Sequence, residues 1–439
     1  MSNLPLPPEG DAYPPRHRTA WTGWTPAHGV PFAASLSNAD PRVAFILQLG
    51  RALHTSGYSA PRLEEALILT SDRLGIIGQF FSTPTSIMAS FGPQDDQRTF
   101  MIRVEPGDSD LGKLARVDSI ARNVLSGQMT PAEGSAAIDR LDQAPPLYGR
   151  VLTTLAFGLA SGSAARFLGG GLWEMGVGLV IGLLTGLLAR RAGGHPALGR
   201  IFEPVAAFNA SAIAALLAVA GAPVSVFLAT LAGVIILIPG LTITTAITEL
   251  STRHLASGTA RLMGAFVLLM GIVFGIAFGT KFVTLTFGAI PDIAPVALPD
   301  WTLVASLILT PLAFVVLLKA EWRDAPWIVL AGGVAFVGAR LGAELLGPEL
   351  GAFGGALLTG MGSQWYARFT NRPSQITLVP GLLLLVPGSI GLRSLTGMLN
   401  TAGVLPGIEG VFRMGLIAVS LAAGILIARV VSPQRPLLE

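Results

Sequence analysis

Two Pro-Gly pairs, each behind a run of branched aliphatic residues, are where this chain could do chemistry: Ile235-Ile-Leu-Ile-Pro239-Gly240 and Leu383-Leu-Leu-Val-Pro387-Gly388. Proline withholds an amide and breaks a helix, and the half-helix that restarts presents unpaired N–H groups suited to a carboxylate. Thr242, Thr244 and Thr245 follow the first pair and Ser389 the second, so hydroxyls stand where a small polar solute would be coordinated. Pro380-Gly381 adds a further break, two turns before the second pair and on the same face. Glu249 lies two to three turns beyond the first pair, and Arg393 sits at a comparable place beyond the second. A carboxylate there could carry a proton, and a guanidinium could clamp a substrate carboxylate. Plainer readings stand beside these: Pro kinks closed by Ser/Thr back-bonding, and charges that snorkel to an interface.

Such breaks matter only in hydrocarbon, and composition places them there. The 439 residues are 51% hydrophobic and 13% charged, against about 25% charged in soluble domains. The deficit is local: residues 1–150 hold 13 Lys and Arg with 15 Asp and Glu, whereas the remaining 289 hold 16 with 11. A nucleic-acid-binding domain and an ordinary cytosolic enzyme are excluded as descriptions of the whole. The lipid bilayer is the expected surrounding, and no nucleic acid is expected as a partner. There is no Cys, no Walker motif and no metal-ligand spacing, so no cofactor or metal is expected.

Beyond Arg150, ten apolar stretches are long enough to span or nearly span a bilayer, which takes about 20 residues each. They lie near 151–168, 171–190, 204–221, 223–240, 261–281, 301–319, 326–345, 349–368, 375–398 and 411–431. The two Pro-Gly pairs fall in the fourth and the ninth, equivalent positions of two five-span halves at 147–285 and 298–433. Because five is odd, the second half is inserted upside down, as in an inverted repeat. With the N-terminus inside, the inner joints hold eleven basic residues and the outer joints five: Arg166, Lys281, Arg340, Arg393 and Arg413. This agrees with the positive-inside rule. Glycines spaced by four, such as Gly158 and Gly162 or Gly271, Gly275 and Gly279, predict close helix packing.

Before the spans, residues 1–40 read as a disordered Pro-rich tail without a signal peptide, and 41–146 as a cytoplasmic α+β head. In the head, helix, turn and helix surround His54–Pro61, with Ser59 as N-cap. Strands are expected at Gln79–Ser90 and Arg98–Glu105, and then two helices, Asp110–Ser126 and Thr130–Leu141. His54, Ser59 and Glu64 invite a hydrolase reading, but they fall across a turn and an N-cap, and no Gly-x-Ser-x-Gly elbow is present. The fold class is therefore an α-helical polytopic membrane protein with a soluble α+β head, and the chain is not expected to be an enzyme. The rival reading is a membrane-anchored hydrolase that uses the head, which His54→Ala would abolish.

The combined motifs resemble the bacterial threonine/serine exporter family. They are Leu-His54-Thr-Ser-Gly57-Tyr-Ser59 with Arg62-Leu-Glu64-Glu, Phe81-Ser-Thr-Pro84, Ile-Pro239-Gly240 with Ala-Ile-Thr-Glu249-Leu, Ser257-Gly258-Thr-Ala-Arg261, and Val-Pro387-Gly388-Ser-Ile-Gly391. The resemblance covers roughly residues 42–430. It implies a ten-span inner-membrane exporter of small hydroxy amino acids driven by the proton-motive force, with Glu249 at the family's acidic position. Related two-chain members export succinate, so a small dicarboxylate is the alternative substrate. Protons and a small carboxylate are the expected partners, and assembly into a homo-oligomer is left open.

Overall fold

The structure, a computed structural model, describes residues 40–432 apart from 106, 108, 387 and 400–403. The tail expected over 1–40 lies outside the described residues except for Asp40, and so does Pro387 of the second break.

The N-terminal unit runs α1 (Pro41–Thr55), α2 (Ala60–Arg73), β1 (Gly78–Thr83), β2 (Ser86–Phe91), β3 (Arg98–Arg103), α3 (Leu111–Leu125) and α4 (Pro131–Gln143). Local chemistry sets these boundaries. The Asp40 carboxylate accepts the Arg42 N–H to start α1, Asp110 accepts the Lys113 N–H to start α3, and Thr130 with Glu133 forms a capping box at α4. The single strand expected over Gln79–Ser90 is instead a hairpin. Pro84 turns the chain, and Thr83 Oγ1 meets the Ser86 hydroxyl at 2.8 Å and accepts the Ser86 amide at 3.1 Å. The result is an antiparallel sheet in the order β1-β2-β3.

From Arg150 on, every described element is helical: α5 (Arg150–Phe167), α6 (Leu172–Ala192), α7 (Pro196–Gly199), α8 (Phe202–Val219), α9 (Val226–Val234), α10 (Gly240–Ser251), α11 (Leu255–Phe287), α12 (Trp301–Leu317), α13 (Ala325–Leu346), α14 (Pro348–Thr370), α15 (Gln375–Leu383), α16 (Gly388–Leu399) and α17 (Val404–Val431). Six stretches among the described residues are long and apolar enough to cross a membrane, and seven if the bent pair α9–α10 counts as one span. The other expected spans are the helices α5, α12 and α14: α12 is apolar but only 17 residues long, while α5 and α14, of 18 and 23 residues, are long enough but less apolar.

Packing follows the glycines. A side chain on Gly158 or Gly162 of α5 would run into Leu183 or Leu179 of α6, and one on Gly275 into the Pro204 carbonyl of α8. The helices therefore approach closely where the four-residue spacing predicts it. α8 packs on α11 and α14 on α17; α6 on α9 and α13 on α15; α10 on α11 and α16 on α17. Between these two sets, α5 packs on α12, α10 on α17 and α11 on α16. The N-terminal unit does not close its own core. Phe45, Leu49, Leu63, Ile87 and Ile138 belong to one buried cluster with Ala160 of α5, Val316 of α12, Ile328 of α13 and Ile376 of α15.

Candidate functional site

Pro239 ends one helix and starts another. The residue before a proline is pushed to extended backbone, and Ile238 is extended at φ −70° and ψ 123°. The chain passes from α9 through a short 3-10 turn, Ile235–Leu237, and restarts as α10 at Gly240, bent by 54°. The fourth span therefore does not stop at Gly240 but continues to Ser251. In the second half, α15 ends at Leu383 and α16 begins at Gly388. Pro380-Gly381 is not a break, contrary to expectation. It lies inside α15, which continues past it, with Gly381 seated on Thr359 of α14 and Ala331 of α13.

The two breaks lie back to back. A Cβ on Gly240 would collide with Val386 and come within 3.3 Å of the Gly388 amide; one on Gly388 would meet Ile238 and come within 3.4 Å of Gly240 Cα. Only glycine allows the backbones this close. The Thr244 hydroxyl donates to the Gly240 carbonyl at 3.1 Å, and Thr248 to that of Thr244 at 2.8 Å, so back-bonding does occupy part of this face. Thr242, Thr245 and Ser389 are half-buried, while Pro239, Gly240 and Gly388 are buried.

Glu249 is wholly buried in the last turn of α10. Its Oε1 accepts the Ala60 N–H at 3.0 Å, and its Oε2 accepts Ser257 Oγ at 2.9 Å and Arg261 Nε at 3.1 Å. The carboxylate thus joins the first turn of α2 to α11 across the 252–254 joint. One turn along α2, Glu64 meets His254 Nε2 at 3.2 Å and accepts the Ser82 amide at 2.7 Å. Arg393 is furnished quite differently. It is exposed, with its guanidinium 5.4 Å from the Phe227 ring centroid, and no carboxylate lies within ion-pair distance among the described residues. Glu174 is also buried, accepting the Gly171 and Ser225 amides at 2.7 and 2.6 Å; it caps helix ends.

Further bonds hold the N-terminal unit on the same side of the bundle. Arg62 donates to Ser374 Oγ at 3.4 Å, Arg122 to the Asn371 carbonyl at 2.5 Å, and the Leu111 and Gly112 amides to the Leu318 and Lys319 carbonyls. Behind these, Asp118 lies 3.0 Å from Arg122, and Arg372 pairs with Glu321 at 3.0 Å and Asp324 at 3.1 Å. Burial pushes the Asp118 carboxyl up to about 7 despite the two nearby arginines.

No hydrogen bond links His54, Ser59 and Glu64 among the described residues. His54 Nε2 meets the Thr83 carbonyl at 2.9 Å, Ser59 precedes α2, and Glu64 is engaged by His254. Burial lowers the imidazole pKa, holding His54 neutral.

Sequence places Ser257 and Arg261 in a motif shortly after Glu249 without showing that they bond it, and an amide 189 residues away leaves no sequence signal.

Two family profiles match the chain. One, described as a threonine/serine exporter, covers residues 44–283, and the other, "Threonine/Serine exporter", covers 302–431. The chain is 26% identical over 385 residues to "Pheromone-regulated membrane protein 10" of Candida albicans (strain WO-1), covering 82% of this chain and 34% of that protein. It is 26% identical over 332 residues to "Threonine/serine exporter" of Corynebacterium glutamicum, covering 73% and 67% respectively. A "Pheromone-regulated membrane protein 10" of Eremothecium gossypii matches at 26% over 369 residues, covering 80% of this chain and 49% of that protein. The chain thus spans a third to a half of these fungal relatives. No solved structure matches it.

Proposed function

The chain belongs to the threonine/serine exporter family, and from that premise we propose that it exports threonine and serine across a bacterial inner membrane in exchange for protons. It works as ten spans in two inverted five-span halves, 147–285 and 298–433, with the unit over 41–146 cytoplasmic. Helix packing supports the repeat: the pairs α8–α11, α6–α9 and α10–α11 of one half have counterparts in α14–α17, α13–α15 and α16–α17 of the other, and α10 on α17 answers α16 on α11. The joints at 252–254, 318–324 and 371–374 support the topology. They all bond the N-terminal unit, they share one side in a ten-span count, and they carry Arg253, Lys319, Arg323 and Arg372.

The observation that carries the mechanism is the buried Glu249, on the helix that restarts at the break and bonded to both α2 and α11. A proton arriving from outside neutralises it. Its charge-assisted bonds to Arg261 and the Ala60 amide weaken, α2 lets go of α10, and the cytoplasmic side opens. The proton leaves as the amino acid enters, and the recharged Glu249 reseats α2. The substrate carboxylate then lies at the half-helix N-termini of Gly240 and Gly388, with Pro239 and Pro387 keeping those helices broken. Thr242, Thr244, Thr245 and Ser389 select for its polar groups, and Arg393 clamps the carboxylate on the way out.

Proteoliposomes loaded in parallel with threonine, serine and succinate test this. Saturable threonine and serine efflux, faster with acid outside, is the expected result. Glu249→Gln should keep binding and lose the dependence on the proton gradient; unchanged gradient-driven efflux removes Glu249 from the role. Succinate efflux in place of amino acids makes the chain a dicarboxylate exporter, and the absence of any efflux ends the reading.

A further inference from the structure

The end of α5 farthest from the N-terminal unit carries an arginine that neither helix break uses. Arg166 is half-buried; its Nε donates to Thr302 Oγ1 at 2.7 Å and its Nη2 to the Leu298 carbonyl at 3.3 Å. No carboxylate among the described residues lies within ion-pair distance of it. Along α12, Thr302, Ser306 and Thr310 recur every four residues and so share one face. Both ends of that row touch α5, Thr302 at Arg166 and Thr310 at the Ser163 hydroxyl, 2.7 Å away. The middle member is different. Ser306 is fully buried, and its hydroxyl has no hydrogen-bond partner. A buried hydroxyl without a partner is costly and rare in native proteins. Beside it, Arg166 brings a guanidinium without an acid partner to Thr302, one turn along the row.

We infer that this row between α5 and α12 is a binding site for a small carboxylate that also carries a hydroxyl group. Arg166 takes the carboxylate on its remaining guanidinium edge, a planar fork matched to two oxygens. Ser306 takes the ligand's hydroxyl. Thr302 and Ser306 are one helical turn apart, about 6 Å along the axis, which is the scale of a hydroxy amino acid. The Ser163–Thr310 bond closes the far end of the row and ties the first helix of one proposed half to the first helix of the other. A ligand seated there spans the boundary along which the halves would move. The identity of the ligand rests on the exporter reading; the site itself rests on the unpaired guanidinium and the orphan hydroxyl.

Equilibrium binding of radiolabelled threonine, 2-aminobutyrate and succinate to the full chain in nanodiscs tests it, with folding checked by thermal melting. Two classes of carboxylate site are expected, one at the helix breaks and one at Arg166, and Arg166→Lys should weaken the second at least tenfold while leaving the first. Ser306→Ala should weaken threonine severalfold and leave 2-aminobutyrate, which lacks the hydroxyl, unchanged. Wild-type binding of both variants, or a Ser306→Ala loss equal for threonine and 2-aminobutyrate, overturns the site, while threonine efflux in proteoliposomes would leave the exporter reading standing. Conversely, threonine binding that depends on Arg166 and Ser306 without any threonine transport upholds the site and sinks the amino-acid exporter, while Arg166-dependent binding of succinate alone overturns the site. No binding of any of the three ligands overturns the site.

Discussion

The two helix breaks share a backbone device and differ in everything attached to it. Both restart a helix at a glycine, and the two glycines press against each other's flanking residues. Beyond the first break stands Glu249, wholly buried with three donors, one of them from the N-terminal unit. Beyond the second stands Arg393, exposed beside one aromatic ring. The charged residue beyond one break is therefore tied to the surrounding protein, and the one beyond the other has no ion-pair partner among the described residues. Two helices that restart at facing glycines can thus be furnished with very different charge.

The sharpest way to break this contrast is to remove both charges in turn. Glu249→Ala leaves Arg261 and the Ala60 amide without their partner, at a cost of about 3–5 kcal/mol. Arg393→Ala loses only an exposed cation–π contact, about 0.5–1 kcal/mol. Thermal melting of the two variants in the same detergent should differ accordingly; equal losses would abolish the contrast. The shared backbone comes next. Gly240→Ala and Gly388→Ala each force a methyl into the facing side chain, Val386 or Ile238, and should cost about 1–3 kcal/mol each. If one is tolerated, the breaks do not meet as described.

Smaller effects probe how firmly the N-terminal unit holds the helical bundle. Native Asp118 keeps its proton up to about pH 7, well above the ordinary 3.8. The native state therefore binds more protons between those values, and stability falls as pH rises through them. Melting should be lower at pH 8.5 than at pH 5.5, and Asp118→Asn should flatten the difference, worth about 1–2 kcal/mol. A variant that melts with the same pH dependence as wild type removes Asp118 as its source. Last, His254→Ala cuts a partly exposed pair with Glu64 and should cost about 0.2–1 kcal/mol; a loss as large as that of Glu249→Ala would make His254 an equal tie.

Where the chain breaks was legible because proline's missing amide acts through its immediate neighbours. Pro239 announced a restart at Gly240, and Thr130 with Glu133 announced the cap of α4. The same logic misfired at Pro380, where packing of Gly381 on α13 and α14 lets the helix run on. It also missed the Pro84 hairpin, where apolar residues on both sides of the turn read as one strand. The ligation of Glu249 was beyond sequence reasoning for another reason. Its donors come from 8, 12 and 189 residues away, so only the assembled fold brings them together. Arg166 could be read only as an outer charge, since its meaning depends on a row of hydroxyls on a helix more than 130 residues on.

The length of α11 has its own consequence. Its 33 residues make a rod of about 50 Å, whereas hydrocarbon is about 30 Å thick. Tilting absorbs only part of the difference, so a bilayer seated on this helix would leave its ends, Ser257 near one of them, in the headgroup layers. Stretching or thinning the bilayer then moves that end relative to α10. Lipid chain length would then be a setting on the Glu249–Ser257 bond.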